Sequence, residues 1–135
     1  MTETFVDAAA WIALLNTRDS LHEAAKVTFR RLRQENVQLV TTEFILLELA
    51  STLSSPDFRS KVSVLIEGLV RSDEIEIVPG SSELFSAGFE LYRGRPDKSW
   101  SMVDCSSFVI MQRRRVTDAF TQDRHFTQAG FKILL

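Results

Sequence analysis

Four acidic residues stand at positions where alternating strands and helices would bring them together. Asp7 directly follows the predicted strand TFV, and Asp123 follows the predicted strand that ends in AFT. Asp104 falls in the first turn of a predicted helix, and Glu48 lies about a turn and a half into another. Helices in such a pattern begin where strands end, so all four carboxylates are expected at the same edge of a sheet.

Carboxylates gathered at one edge repel one another unless a cation lies among them. Two carboxylates about 5 Å apart repel by roughly 3 kcal/mol at an effective dielectric constant of about 20. Oxygen ligands without thiolate or imidazole select hard ions, so Mg²⁺ or Mn²⁺ is the expected occupant. Such an ion activates water and stabilises charge on a phosphate oxygen. The four acids therefore predict phosphodiester hydrolysis.

Each acid also has a purely structural interpretation. Asp104 completes the pattern Ser101-x-x-Asp104, which resembles a capping box, and the helix dipole favours an acid there. Asp7 and Asp123 are compatible with helix caps or turns. Glu48 is harder to explain structurally, because its neighbours are apolar and an unpaired buried carboxylate is costly.

Short apolar strands alternate with helices along the whole chain. Strands are predicted at 3–6, 37–41, 75–78, 116–121 and 131–134. Helices are predicted at 8–16, 21–34, 43–53, 55–70, 82–92, 101–113 and 126–129, with a loop at 94–99. This alternation predicts an α/β fold whose parallel sheet is covered by helices on both faces.

Composition limits the class of protein. The 135 residues fit a single domain, 1–135, and the only cysteine, Cys105, excludes an internal disulfide and is interpreted as a packing residue. No signal peptide and no apolar run of about 18 residues is seen, so we expect a cytoplasmic protein without a membrane span. The net charge of −2 excludes nucleic-acid binding by bulk positive charge.

Three segments resemble the PIN-domain family, and specifically its VapC-type toxin branch. FVDAAAWIALLN resembles the opening strand, aspartate and helix of the family, and TTEFILLELAS resembles its second motif, in which Glu48 is the acid before a leucine. WSMVDCSSFVIMQRRRVTDAFTQDRHFTQAGF resembles the third and fourth motifs, with Asp104 and Asp123. The pattern S-x-x-D, helix, strand and T-x-D-x-x-F is the most specific part, and the resemblance covers nearly the whole chain.

The resemblance implies a three-layer α/β/α sandwich with a five-stranded parallel sheet. It also implies Mg²⁺- or Mn²⁺-dependent endoribonuclease activity, with Asp7, Glu48, Asp104 and Asp123 as metal ligands and water activators. Relatives of this branch usually dimerise and are neutralised by a small antitoxin protein that inserts a segment into the active-site groove. The resemblance therefore predicts the toxin of a type II toxin-antitoxin pair, with RNA as substrate and a homodimer as the assembly.

Some residues around the acids match the family and others depart from it. Ser101 and Thr121 are predicted to supply hydroxyl groups that support the metal ligands. The family often has a small hydroxyl residue two positions after the first aspartate, but alanines follow Asp7, so that hydrogen bond is either missing or supplied elsewhere. Glu43 is the alternative to Glu48 as the second acid, since it lies nearer the helix start, while Glu48 matches the family position.

Several basic residues are candidates for contact with substrate phosphates. Arg93, Arg95 and Lys98 occupy the loop that leads to the Asp104 helix, and Arg124 directly follows Asp123. The run from Arg113 to Arg115 is placed at the opposite edge of the sheet, where a helix C-terminus favours positive charge.

Three aromatic residues and one histidine are interpreted as structural residues. Phe85, Phe89 and Tyr92 recur at helical spacing and are predicted to pack against the core. His125 lies near the predicted site and is interpreted as a turn residue.

The sequence also bears on functions other than that of a metal-dependent ribonuclease. A non-catalytic PIN-like module that binds RNA or protein is disfavoured by acids at all four positions, whereas a PIN nuclease that acts on another nucleic acid, outside a toxin-antitoxin system, stays open. A phosphoryl-accepting α/β domain needs paired acids or a D-x-D motif and a late lysine. Here Asp7 is followed by alanines and Lys132 lies inside the last strand. The chain also has no Gly-rich phosphate loop.

Overall fold

Strands and helices alternate along residues 2–135, the part of the chain that the computed structural model describes. The strands are β1 (Glu3–Val6), β2 (Gln38–Thr42), β3 (Ile75–Val78), β4 (Asp118–Phe120) and β5 (Lys132–Ile133). The helices are α1 (Ala8–Leu15), α2 (His22–Gln34), α3 (Glu43–Thr52), α4 (Pro56–Arg71), α5 (Ser82–Gly94), α6 (Met102–Arg114) and α7 (Arg124–Gln128). Every predicted element is present, and within residues 2–135 no helix is long and apolar enough to cross a membrane.

All five strands are parallel, in the order β3-β2-β1-β4-β5. The connections from β1 to β2 and β3 step in one direction across the sheet, and those to β4 and β5 step in the other. Because such crossovers are right-handed, α1 to α4 cover one face and α5 to α7 cover the other. The predicted three-layer fold is confirmed, and its strand order reverses between β1 and β4.

The core is centred on β1, whose neighbours β2 and β4 bury it on both sides. Phe5 lies in register with Val40 and Ala119, and all three side chains are fully buried. Strands covered on both faces are largely apolar, and the buried polar residues of β1 and β2 are threonines, namely Thr4, Thr41 and Thr42.

An aromatic cluster joins β1 to α6 and α7. It consists of Phe5, Trp100, Phe108, Phe126 and Phe131. The ring of Phe108 meets Trp100 edge-on at 5.0 Å and Phe126 edge-on at 4.9 Å, the geometry that ring quadrupoles favour. The cluster therefore packs α6, which carries Asp104, against α7, which directly follows Asp123.

The prediction that the aromatic residues of α5 pack against the core is wrong. Phe85, Phe89 and Tyr92 are 57%, 42% and 47% exposed. The adjacent side of α5, where Leu84 and Gly88 are buried, packs against α6, and an added Cβ at Gly88 would lie only 3.2 Å from the backbone nitrogen of Ser106. The helical spacing identified a common face correctly, but that face lies beside the buried side of the helix and is largely exposed.

Candidate active site

The four predicted acids converge at the carboxyl-terminal edge of the sheet. Asp7 follows β1 and begins α1, Asp123 follows β4 and begins α7, Asp104 lies in the first turn of α6, and Glu48 lies in the second turn of α3. Their charges interact: Asp104 acts on both Asp7 and Glu48, and Glu48 interacts with Asp7 and Asp123. The site lies where the strand order reverses, which is where open α/β sheets form their binding crevices.

Asp7 is the most deeply placed of these acids. Its Oδ2 atom accepts a hydrogen bond of 2.8 Å from Thr121 Oγ1, which itself accepts one of 3.1 Å from the backbone N–H of Asp123. Burial raises the pKa of Asp7 to about 7, and the negative charges of Asp104 and Glu48 act in the same direction; the hydrogen bonds from Thr121 and the Ala8 N–H oppose them. Thr121, directly after β4, thus supplies the hydrogen bond that the alanines after Asp7 cannot.

Asp104 both caps its helix and contacts another residue of the acidic site. Its backbone N–H donates to Ser101 Oγ at 3.0 Å, and its Oδ2 accepts from the Ser101 N–H at 3.0 Å, so the predicted capping box is present. The same Oδ2 lies 2.9 Å from Nδ1 of His125. The capping interpretation and the site interpretation therefore hold together, and Ser101 contacts Asp104 as predicted.

Asp123 is oriented in a similar way. Its Oδ1 accepts a 2.8 Å hydrogen bond from the backbone N–H of His125, which caps α7. Within residues 2–135, neither the second carboxylate oxygen of Asp123 nor that of Asp104 accepts a side-chain or backbone hydrogen bond. Each aspartate is held through one oxygen, and the other oxygen is available to a ligand.

The two candidates for the second acid differ in their surroundings. Glu43 Oε1 accepts a 2.6 Å hydrogen bond from the backbone N–H of Gly80, in the loop before α5. Burial, with the charges of Asp104 and Asp123, raises the pKa of Glu48 above its ordinary value. Glu48 therefore belongs to the acidic site, whereas Glu43 ties α3 to the β3–α5 loop.

Comparison with known proteins gives the family of this chain. The family model of the PIN domain matches residues 4–132. The chain belongs to the PIN domain family. It is 27% identical over 127 residues to the 23S rRNA-specific endonuclease VapC20 of Mycobacterium tuberculosis, in strains CDC 1551 and H37Rv, with 94% of each chain covered.

Solved structures agree with this assignment. The crystal structure of Mycobacterium tuberculosis VapC20, described as a Sarcin-Ricin loop cleaving toxin, superposes with a TM-score of 0.81 at 25% identity and covers 95% of each chain. FitAcB from Neisseria gonorrhoeae gives a TM-score of 0.69 at 15% identity, over 96% of this chain and 95% of that one. The second similarity shows the fold alone.

The predicted phosphate-binding residues of this PIN domain differ in their surroundings. Arg93 was predicted in the loop but lies in the last turn of α5, whereas Arg95 and Lys98 are in the loop that follows. All three are near acids of their own segment, in the pairs Arg93–Glu90, Arg95–Asp97 and Lys98–Asp97. Arg124 is exposed next to Asp123 and forms no ion pair within residues 2–135. Of the four, Arg124 is therefore the one whose charge is not already matched by a neighbouring acid.

Neither Arg114 nor Cys105 contributes a group to the acidic site. Arg114 pairs with Glu3 and Glu76 at the amino-terminal edge of the sheet, as expected for the run at the end of α6. Burial, followed by the charge of Asp104, raises the pKa of the Cys105 thiol to about 11. A thiol of this kind stays protonated and inert, which fits its interpretation as a packing residue.

His125 is the site residue whose role the sequence did not reveal. The interpretation as a turn residue is wrong, because His125 lies in α7 and its ring contacts Asp104. Its position two residues after Asp123 indicated that it lies near the site. The contact with Asp104, 21 residues away, depends on how α6 and α7 pack.

An apolar groove opens beside Glu48. It has a volume of about 390 Å³ and is lined by Phe44, Leu47, Ser51, Phe85, Met102 and Val103 as well as by Glu48 and Ser106. Leu47 is 65% exposed, so the surroundings of Glu48 are less buried than its apolar neighbours predict. The groove connects the acidic site with the exposed aromatic face of α5 through Phe85.

Proposed function

We propose that this PIN domain is a metal-dependent endoribonuclease that hydrolyses phosphodiester bonds in RNA. The observation that carries the proposal is the convergence of four carboxylates, in which burial and, to a smaller extent, mutual repulsion raise the pKa of Asp7 and Glu48. These oxygen ligands suit Mg²⁺ or Mn²⁺. When bound, such an ion lowers the pKa of a coordinated water and offsets charge on the phosphate.

The residues of the chain divide the work of holding that ion and the substrate. Asp7, Glu48, Asp104 and Asp123 are the proposed ligands, through carboxylate oxygens that face the shared site. Thr121 orients Asp7 by its 2.8 Å hydrogen bond, and Ser101 fixes the first turn of α6 around Asp104. Arg124, with its unmatched charge, is the proposed contact for a substrate phosphate.

The biological role proposed for this activity is that of the toxin in a type II toxin-antitoxin pair. The similar protein VapC20 is named as a 23S rRNA-specific endonuclease. Ribosomal RNA is therefore the first substrate to test, and a cytoplasmic location with a small antitoxin partner is part of the same proposal. A PIN nuclease acting on another nucleic acid, and a non-catalytic binding module, are alternative outcomes of the test.

Cleavage is expected to require a divalent metal and Glu48, but not Glu43. Intact ribosomes are incubated with the protein in Mn²⁺, in Mg²⁺ or in EDTA, and 23S rRNA is examined for new 5′ and 3′ ends. We expect Glu48→Gln to lower the rate by more than the roughly 10- to 100-fold that loss of an outer partner costs a metal site. Glu43 instead accepts a hydrogen bond from Gly80. The cleavage rate of Glu43→Gln should therefore stay within about twofold of the parent rate, since surface changes cost little.

Each other outcome has a definite meaning. Cleavage that continues in EDTA after metal removal overturns the metal requirement. Loss of activity in Glu43→Gln with full activity in Glu48→Gln reverses the choice of second acid. If ribosomes are not cut, single-stranded RNA and DNA oligonucleotides separate a different nuclease from a module without activity.

We also infer that the homodimer forms through the exposed face of α5 and the adjoining groove. Phe89 and Tyr92 project from α5 while Phe85 and Leu47 line the groove beside them. An apolar patch of this kind on a soluble domain marks a protein contact. A projecting aromatic pair next to a concave apolar groove is self-complementary, as a two-fold interface requires. A second copy is therefore favoured over an unrelated partner.

A glutamate in this face should dissociate the dimer. Phe89→Glu places a charge in the proposed interface, and we expect a loss of at least about 2 kcal/mol, or roughly 30-fold in Kd. Val64→Glu, at an exposed position on α4, is the matched control and should leave the dimer intact. Sedimentation equilibrium of the parent and both variants measures the effect. A parent that stays monomeric, or a Phe89→Glu variant that dimerises as the parent does, contradicts the inference.

A further inference from the structure

His125 reaches two of the acids from a single position. Its Nδ1 lies 2.9 Å from Asp104 Oδ2 and 3.5 Å from Asp123 Oδ1. Its backbone N–H donates to the same Oδ1 of Asp123 at 2.8 Å. The ring and the backbone of one residue therefore span the gap between the acid of α6 and the acid that precedes α7.

The core fixes the position of this ring. The next residue, Phe126, is fully buried in the aromatic cluster, with its ring centroid 4.9 Å from that of Phe108 and 6.3 Å from that of Phe5. The side chain of His125 itself is 30% exposed and faces the site. Because Phe126 anchors α7, the contact between Nδ1 and Asp104 is set by packing and does not rely on a flexible loop.

The chemistry of the two partners determines which atom carries the proton. An ionised carboxylate only accepts hydrogen bonds, so the close contact requires that Nδ1 donate its hydrogen to Oδ2. The Ser101 N–H already donates to this oxygen at 3.0 Å. Two donors on Oδ2 hold the carboxylate plane in one orientation, and within residues 2–135 Oδ1 accepts no hydrogen bond.

We propose that His125 is a positioning residue, which orients Asp104 through Nδ1–H and thereby raises the affinity of the acidic site for a divalent cation. The proposal rests on the proposed metal-dependent function. Metal-binding carboxylates are commonly held by hydrogen-bond partners of this type, and loss of such a partner weakens binding by about 10- to 100-fold.

A direct role of His125 as a metal ligand is the competing interpretation. Ligand atoms of Asp104, Asp123 and His125 all lie within 4.8 Å of one another. However, a nitrogen that donates its hydrogen to Asp104 has no lone pair for a cation, and Mg²⁺ prefers oxygen ligands. The positioning role is therefore favoured, and the two roles differ in which ring nitrogen matters.

Two amide substitutions separate the ring nitrogens. The side-chain nitrogen of Asn is the same number of bonds from Cβ as Nδ1 of His, and that of Gln matches Nε2. His125→Asn therefore keeps a donor toward Asp104, His125→Gln moves it, and His125→Leu removes it. Mn²⁺ binding to each protein is measured by titration calorimetry without RNA, and thermal unfolding in EDTA checks that each variant is folded.

The expected pattern is specific to Nδ1. His125→Gln and His125→Leu should weaken Mn²⁺ binding by about 10- to 100-fold, while His125→Asn stays within about threefold of the parent. Cleavage by the Gln and Leu variants should recover at high Mn²⁺, with KM for RNA unchanged. Retention of affinity in Gln with loss in Asn overturns the positioning role in favour of an Nε2 ligand.

The remaining outcomes also decide the matter. Equal loss in all three variants, together with lowered thermal stability, assigns His125 a purely structural role. Unchanged Mn²⁺ affinity in all three overturns the positioning role while the proposed function stands. A parent protein that binds no Mn²⁺ overturns both.

Discussion

Asp7→Asn is expected to abolish RNA cleavage and, at the same time, to make the metal-free protein more stable at about pH 8. Loss of one member of a cooperative catalytic group lowers the rate by at least about 10³-fold. The stabilisation has a separate cause. The carboxylate is buried, and burial with the neighbouring charges raises its pKa from 3.8 to about 7. Above that pH, folding places a charge where the molecule disfavours one.

The sign of the pH dependence follows from proton binding. Between the unfolded pKa of 3.8 and the folded pKa of about 7, folded Asp7 holds a proton that the unfolded chain has released. Stability of the metal-free parent therefore falls as the pH rises through this window, by at most about 4 kcal/mol for a shift of roughly three units. The asparagine carries no charge and can still accept the hydrogen of Thr121, so this loss disappears.

Unfolding by urea in EDTA, at about pH 5 and about pH 8, measures the predicted difference. The parent should lose stability between the two conditions and Asp7→Asn should lose less. Asp118→Asn, at the opposite end of β4, is the control and should follow the parent. Mn²⁺ at about 100 times its Kd should add roughly 2.7 kcal/mol to the parent alone and so reduce or reverse the order of stabilities. An Asp7→Asn protein less stable than the parent in EDTA at about pH 8 contradicts the account of Asp7.

The location of the acids was predictable because it follows from strand direction. Asp7 and Asp123 are more than a hundred residues apart, but both follow strands, and parallel neighbouring strands end at one edge. The hydroxyl of Thr121 was also predictable from its place at the end of β4. These inferences needed only the alternation of elements and the residue type at each strand end.

Contacts that depend on helix packing were not predictable from the same pattern. The aromatic residues of α5 lie on one face by spacing alone, but only the packing of α5 on α6 buries Leu84 and Gly88 and leaves this face exposed. Likewise, the reach of His125 to Asp104 depends on the angle between α6 and α7. Such angles result from the fit of many side chains, which one sequence does not display.

Phe108→Ala is expected to destabilise the protein more than any of the other substitutions. Phe108 is fully buried, and its ring contacts Trp100, Phe126 and Phe131. Removing a buried phenylalanine ring costs about 3–5 kcal/mol, because burial is lost and the cavity closes only in part. The midpoint of urea unfolding measures the loss, and an unchanged slope shows that the variant still unfolds in one step.

The same change should weaken metal binding without touching a ligand. The cluster around Phe108 holds α6, which carries Asp104, against α7, which Asp123 caps. With a cavity between the helices, Asp104 and His125 lose their fixed spacing, so Mn²⁺ affinity of the folded variant should fall. Phe108→Leu refills most of the space and should cost less in both measurements, while Val64→Ala on the surface of α4 should cost no more than about 0.5 kcal/mol. If Phe108→Ala unfolds within about 1 kcal/mol of the parent, or binds Mn²⁺ as tightly, the aromatic cluster does not set the geometry of the acids.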